Sequence, residues 1–188
     1  MKQLLLLIFA LAGVFGCSSP DQSAGSAPTA THEIPVSPIQ PRFYYAVDTI
    51  VEQRDTLLPG RDHYRVRVVT TCLNDSAVVN SVIEEGRTVL DVSHNYQSDL
   101  FIMRDGQVLG RARLTKTLFA NDSVARGLGP LQEWILSRTV YIQRQHDEFV
   151  FYTRLGIPDS DIFVEAEVAL LPPASLRIVR VREQVWEE

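Results

Sequence analysis

The chain has 188 residues, 45% hydrophobic and 22% charged, with 18 Lys and Arg against 23 Asp and Glu. That balance excludes a wholly disordered chain. A net charge of −5 and a pI near 5.4 exclude the basic surface expected of a nucleic-acid binder.

Met1-Lys2-Gln3 carries one positive charge, Leu4 to Val14 is almost wholly apolar, and the run ends at Val14-Phe15-Gly16-Cys17. A charged start, an apolar stretch and a small residue before a cut are the parts of a secretory signal over residues 1–16. The stretch is shorter than the about 20 apolar residues of a transmembrane helix. Its end resembles the lipobox of bacterial lipoproteins, which implies acylation of Cys17 as the new N-terminus. The alternative is an ordinary signal peptide followed by an incidental cysteine. Cleavage before Cys17 would remove 16 residues, one of them lysine, and leave 172 with 17 basic and 23 acidic side chains. Cys72 would then be alone, so no internal disulfide is expected, and it reads as a small buried hydrophobe rather than a reactive thiol.

Residues 17–42 follow as a tether. Ser18 to Pro41 is rich in Ser, Ala, Pro, Thr and Gln and has almost no large apolar residue before Ile34, too little to offset chain entropy. As a flexible coil it would span roughly 25–30 Å. Ser18 and Ser19 follow the cysteine where an aspartate would retain a lipoprotein in some inner membranes, so outer-membrane sorting is the expectation, on the periplasmic face or the cell surface.

Residues 43–188 are of single-domain size, and their pattern has period two. Tyr64, Val66, Val68, Thr70 and Cys72 alternate with Arg65, Arg67, Val69 and Thr71, the signature of a strand. Asp75 to Gly86 reads either as a short helix with Asp75 as N-cap or as an edge strand. Val89–Val92, Leu100–Met103, Thr139–Ile142, Phe149–Tyr152, Ile162–Leu170 and Leu176–Val181 are further β-rich runs. Thr115–Asn121 and Pro130–Leu136 suit helical turns. Asp105-Gly106 is a two-residue hairpin signal. It predicts Met103 opposite Val108, Ile102 opposite Leu109 and Phe101 opposite Gly110. A turn at Pro172-Pro173-Ala174-Ser175 predicts Glu165 opposite Arg182, Ala166 opposite Val181, Glu167 opposite Arg180 and Val168 opposite Val179. Short strands at near-regular spacing imply an all-β fold, a sandwich or a closed barrel, with one or two short helices.

Signals for chemistry are sparse. His63, His94 and His146 lie in separate elements with no metal-ligand spacing. Asp159-Ser160-Asp161 lacks the rest of a calcium loop and reads as a turn. No nucleophile elbow, Walker loop, His-Glu-x-x-His or dinucleotide fingerprint occurs, so no cofactor, metal or catalytic residue is expected. Beyond the signal segment the chain has 16 Arg and one lysine, Lys116. A compact ammonium kept in so Arg-rich a chain is a candidate pocket group.

Leu73-Asn74-Asp75-Ser76, His94-Asn95-Tyr96, Thr115-Lys116 with Phe119, and Pro158-Asp159-Ser160-Asp161 occur in this order. With the lipobox they resemble an uncharacterised family of Bacteroidota lipoproteins, the domain-of-unknown-function family numbered 4738, over about residues 64–182. The resemblance implies a lipocalin-like antiparallel β-barrel, carries over no catalytic residue, and draws attention to Lys116, His94 and Tyr96. A barrel interior would be lined by Trp134, Phe101, Phe149 and Phe151, with Tyr152 and Phe163. The function that follows is a lipid-anchored envelope module, non-enzymatic, that binds a small or lipidic ligand. The alternatives are a structural lipoprotein that binds an envelope protein and a hydrolase with a dispersed site.

Overall fold

The structure, a computed structural model, describes residues 40–183. The expected signal segment, Cys17 and all but the end of the tether lie outside the described residues.

The described residues form eleven strands: β1 (Arg42–Tyr44), β2 (Val51–Leu57), β3 (Tyr64–Cys72), β4 (Val78–Glu84), β5 (Arg87–Ser93), β6 (Tyr96–Arg104), β7 (Gln107–Leu114), β8 (Ile135–Gln145), β9 (Glu148–Gly156), β10 (Phe163–Leu171) and β11 (Ser175–Glu183). The all-β expectation holds. Asp75 to Gly86 resolves as strand β4 and its turn, since the pairs Val78-Val79 and Val82-Ile83 are branched at Cβ and crowd a helix. The expected helical turns are short 3₁₀ segments at Lys116–Phe119 and Leu131–Glu133, with a third at Ala125–Leu128.

Two four-stranded antiparallel sheets, β2-β3-β6-β7 and β11-β10-β9-β8, make the body of the domain. Alternate residues of each point inward. Val66, Val68, Leu100, Ile102, Ala112 and Leu114 come from the first, and Leu136, Phe149, Phe151, Leu155, Val164, Ala166, Val168 and Leu170 from the second. Together they form one core. Burying a Leu or Phe side chain contributes about 1.5–3 kcal/mol. Hydroxyls run between the sheets at one place. Thr70 lies 2.9 Å from Ser98, Ser98 donates to Thr139 at 2.9 Å, Thr139 lies 3.2 Å from Thr153, and Thr153 donates to the Ser137 carbonyl at 3.2 Å. Each hydroxyl has one proton, so the terminal carbonyl gives the whole chain one direction.

The expected barrel is not formed. β2, β7, β8 and β11 each have a strand neighbour on one side only. β7 and β11 approach with a main-chain bond from the Arg111 amide to the Pro173 carbonyl (2.8 Å) but no ladder. The arrangement is sandwich-like. Phe101 and Phe163 are also corrected: they lie half-buried on outer faces, under the guanidinium groups of Arg111 (5.1 Å) and Arg154 (3.9 Å).

The hairpin registers hold in part. Met103 faces Val108, but a bulge makes Leu109 the extra residue, so Ile102 faces Gly110 and Phe101 faces Arg111. The bulge keeps Gly110, Ala112 and Leu114 on the core side, and Pro172 packs where a Gly110 side chain would stand, 3.1 Å from the position of its Cβ. Glu165–Arg182, Ala166–Val181 and Glu167–Arg180 pair as expected, whereas Val168 faces Ile178 because Val179 is bulged out.

The hairpins give the sandwich two unlike ends. One carries the turns β2–β3, β6–β7, β8–β9 and β10–β11. The other carries a small third sheet, β1-β5-β4, in which the β4–β5 hairpin inserted between β3 and β6 is joined by β1 from ahead of β2, together with the 3₁₀ segments. β1 lies parallel to β5 and β4 antiparallel to it.

Candidate functional site

The residues singled out by the sequence gather at the third-sheet end. Asp75, in the loop after β3, accepts the Asn95 amide (3.0 Å), the Asn95 side chain (2.7 Å) and the Ala77 amide (3.3 Å). Its burial opposes ionisation, but the bonds from Asn95 and Ala77 outweigh it and hold the carboxyl below its ordinary value. His94 Nδ1 accepts the Ser76 amide at 3.0 Å, which leaves the ring proton on Nε2. That ring is 6% exposed, and Nε2 is buried without a partner. Lys116 donates to the Trp134 carbonyl at 2.8 Å. Half-burial pulls its ammonium below the usual lysine value, while the charge of Asp75 works the other way. Trp134 is fully buried, and its indole N–H has no partner among the described residues. Asn80 of β4 donates to the Glu133 carbonyl at 3.3 Å, tying the third sheet to the 3₁₀ segment.

Tyr96 belongs to the same end. Its hydroxyl donates to Asp48 at 3.1 Å, and burial together with Asp48 and Cys72 raises its pKa. Cys72 is half-buried rather than fully enclosed, and its thiol lies 3.4 Å from the Asn74 side-chain oxygen. These contacts fasten the third sheet and its loops to the sandwich. Lys116, His94 and Tyr96 are thus neighbours of one network that closes an end rather than lining an opening. Phe149, Phe151 and Trp134 are packed inside the core, and Tyr152 is half-buried with its hydroxyl on Glu165 at 2.7 Å.

Concavities occur at both ends: one of about 500 Å³ lies along the third sheet at Glu84, Arg87 and Val89, one of about 320 Å³ lies beside Leu128 and Phe163, and two that share aromatic and apolar walls lie among the hairpin turns. A cleft of about 440 Å³ is lined by Leu57, Leu58, His63, Tyr64, Arg65 and Met103, among others. A second of about 260 Å³ shares Leu58, His63 and Tyr64 and adds Pro59, Tyr141 and Arg144. Tyr64 starts β3 beside Arg104 at the end of β6. The Arg144 guanidinium lies 4.3 Å from the centre of the Tyr64 ring and 5.5 Å from that of Phe149, and Arg104 lies 5.6 Å from Tyr64. Such stacking orients a guanidinium without neutralising it.

Sequence reasoning passed over this end except for His63 and the aromatic Phe149. A signal was present in the excess of Arg over Lys, because guanidinium is the cation that stacks on rings. Among the described residues no group of three or more metal-ligating side chains gathers, and no helix is long and apolar enough to cross a membrane. In comparisons with known proteins, no family model matches the chain and no curated protein matches it.

Proposed function

We propose that this is a lipid-tethered, non-enzymatic binding domain that takes a small ligand at its hairpin end, with Cys17 as the acylated residue and the outer membrane as its location. The filled interior supports this reading: Trp134, Phe119, Phe149 and Phe151 occupy the core at 2% exposure or less. A lipid chain inside the sandwich, the ligand expected of a barrel, would have to displace them. The larger cleft beside Tyr64, at about 440 Å³, instead has the size and mixed apolar and polar lining of a small-molecule site, and the smaller one of about 260 Å³ adjoins it. The resemblance to the Bacteroidota lipoprotein family is in keeping with a binding role without chemistry. His94, the best-buried histidine, bonds a backbone amide rather than a Ser or Asp side chain.

A second reading, an envelope-protein partner, is favoured by one surface. Tyr44, Val79 and Ile83 share the outer face of the third sheet, and Ile83 is 82% exposed. Contiguous apolar surface of this kind marks protein contacts.

A photo-activatable phenylalanine analogue placed in cells at position 63 or at position 83 separates the two readings. The expected result is a small-molecule mass added to the protein from position 63. A protein-sized adduct from position 83, with nothing from 63, would replace the first reading by the second.

A further inference from the structure

Resting on that hairpin-end reading, we infer that the cleft recognises a carboxylate carried on a compact ring or branched apolar body, with Arg144 as its anchor and Asp62 as a built-in competitor. Arg144 is held from two sides. Its plane lies over Tyr64 and Phe149, and its Nε donates to the His146 carbonyl at 2.9 Å. The two terminal nitrogens, which form the fork that fits a carboxylate, reach acids only loosely. Nη1 is 3.7 Å from Asp62 and Nη2 is 4.0 Å from Asp147. Some arginine–carboxylate pairs of the fold close fully, as in Arg67–Asp55 at 2.8 and 3.2 Å and Arg113–Asp99 at 3.0 and 3.3 Å, whereas Arg154–Glu165 stays at 3.8 Å. Arg144 differs from all of these in having its guanidinium stacked over two rings beside a cleft. Arg144 is therefore oriented but not saturated.

Asp62 divides itself between two cations. One oxygen is 3.3 Å from Arg104 and the other 3.7 Å from Arg144. It stands in an exposed loop beside His63, whose backbone has a positive φ of 45°. A carboxylate that paired with Arg144 in plane would replace the long Asp62 contact with two short ones. Leu58, Pro59 and Tyr141 would then flank the rest of the ligand. Those walls are largely apolar and the cleft holds about 260 Å³, which suits a ring or branched body rather than a long chain.

The test is a titration of the detergent-extracted lipoprotein, labelled on its leucine and methionine methyls, with phenylacetate and with the neutral phenylacetamide. Phenylacetate is expected to shift Leu58, which lines the Arg144 cleft, and less strongly Leu57 and Met103 of the adjoining one, while leaving the core methyls of Leu100 and Leu155 in place. Phenylacetamide should bind roughly tenfold more weakly, because it lacks the charge that the fork requires. Arg144→Gln should weaken phenylacetate by about tenfold, with Arg144→Lys between it and wild type. Asp62→Asn should tighten it severalfold by removing the competitor. Equal shifts at Leu57 and Leu58 with acid and amide would overturn the carboxylate assignment and leave the hairpin-end site standing. No shift with phenylacetate in wild type or Asp62→Asn would likewise overturn the assignment. Shifts confined to the third-sheet end would overturn both.

Discussion

Asp75 shows how one side chain in an exposed loop organises an end of the molecule. Three donors from Asn95 and Ala77 converge on its two oxygens, so Asp75→Asn would turn an acceptor into a donor facing another donor. The expected cost is about 1 kcal/mol at neutral pH, at the low end for a charged hydrogen bond because the site is solvated. Its pKa lies below the ordinary 3.8 when folded, so the unfolded chain protonates first as pH falls. The stability from these bonds is therefore full above about pH 5 and lost as pH drops through 3.8 toward the folded value. Thermal unfolding of wild type and Asp75→Asn between pH 3 and pH 7 should show a gap that closes on the acid side. A gap unchanged at pH 3 would mean that charge plays no part. Lys116 has the same sense in pH but for the opposite reason, since its charged form is the disfavoured one: its folded pKa is lowered, so the protein gains stability as pH rises from that value toward 10.5. At this scale the sequence was informative where a residue was rare, as with the single lysine. It was silent where the meaning lay in a pairing, as with the arginines over Tyr64, Phe101 and Phe163.

At the scale of strands, alternation in the sequence located those with one buried face, and β3 falls on the residues expected of it. It missed β2, whose seven residues are all exposed, because a strand with no buried face has no reason to alternate. Bulges were partly legible. Leu176 and Ile178 pack inward in one phase and Val181 in the other, and the extra Val179 reconciles them. Leu109 left no such trace, since Gly110 and Ala112 are too small to mark a face. Sandwich and barrel differ in whether the edge strands, β7 with β11 and β2 with β8, form ladders between elements far apart in sequence, which no local pattern encodes. The hydroxyl chain joins the two sheets at this same scale. Thr153→Val keeps the shape but leaves Thr139 with no acceptor and ends the relay. The expected loss is about 1–3 kcal/mol, read as a lower denaturant midpoint with an unchanged slope. A loss below about 0.5 kcal/mol would show that the relay contributes little beyond packing.

For the whole molecule, anchoring at Cys17 has a direct check. Alkyne-tagged fatty acid fed to the native host should label the wild-type protein, whereas Cys17→Ala should lose the label and leave the membrane fraction. Label retained by the variant would place the anchor elsewhere. The signal segment and tether are expectations from local composition alone and lie outside the described residues, while the hairpin-end cleft needed turns brought together by the fold. The described chain enters at Gln40 and passes at once into β1 of the third sheet, at the end of the sandwich away from Tyr64. Strand β3 has nine residues, each rising about 3.3 Å, so the two ends stand roughly 30 Å apart. Under the proposed anchoring at Cys17, the leash would join the domain at the end opposite the cleft, so a ligand could dock or leave there without working against the point of attachment.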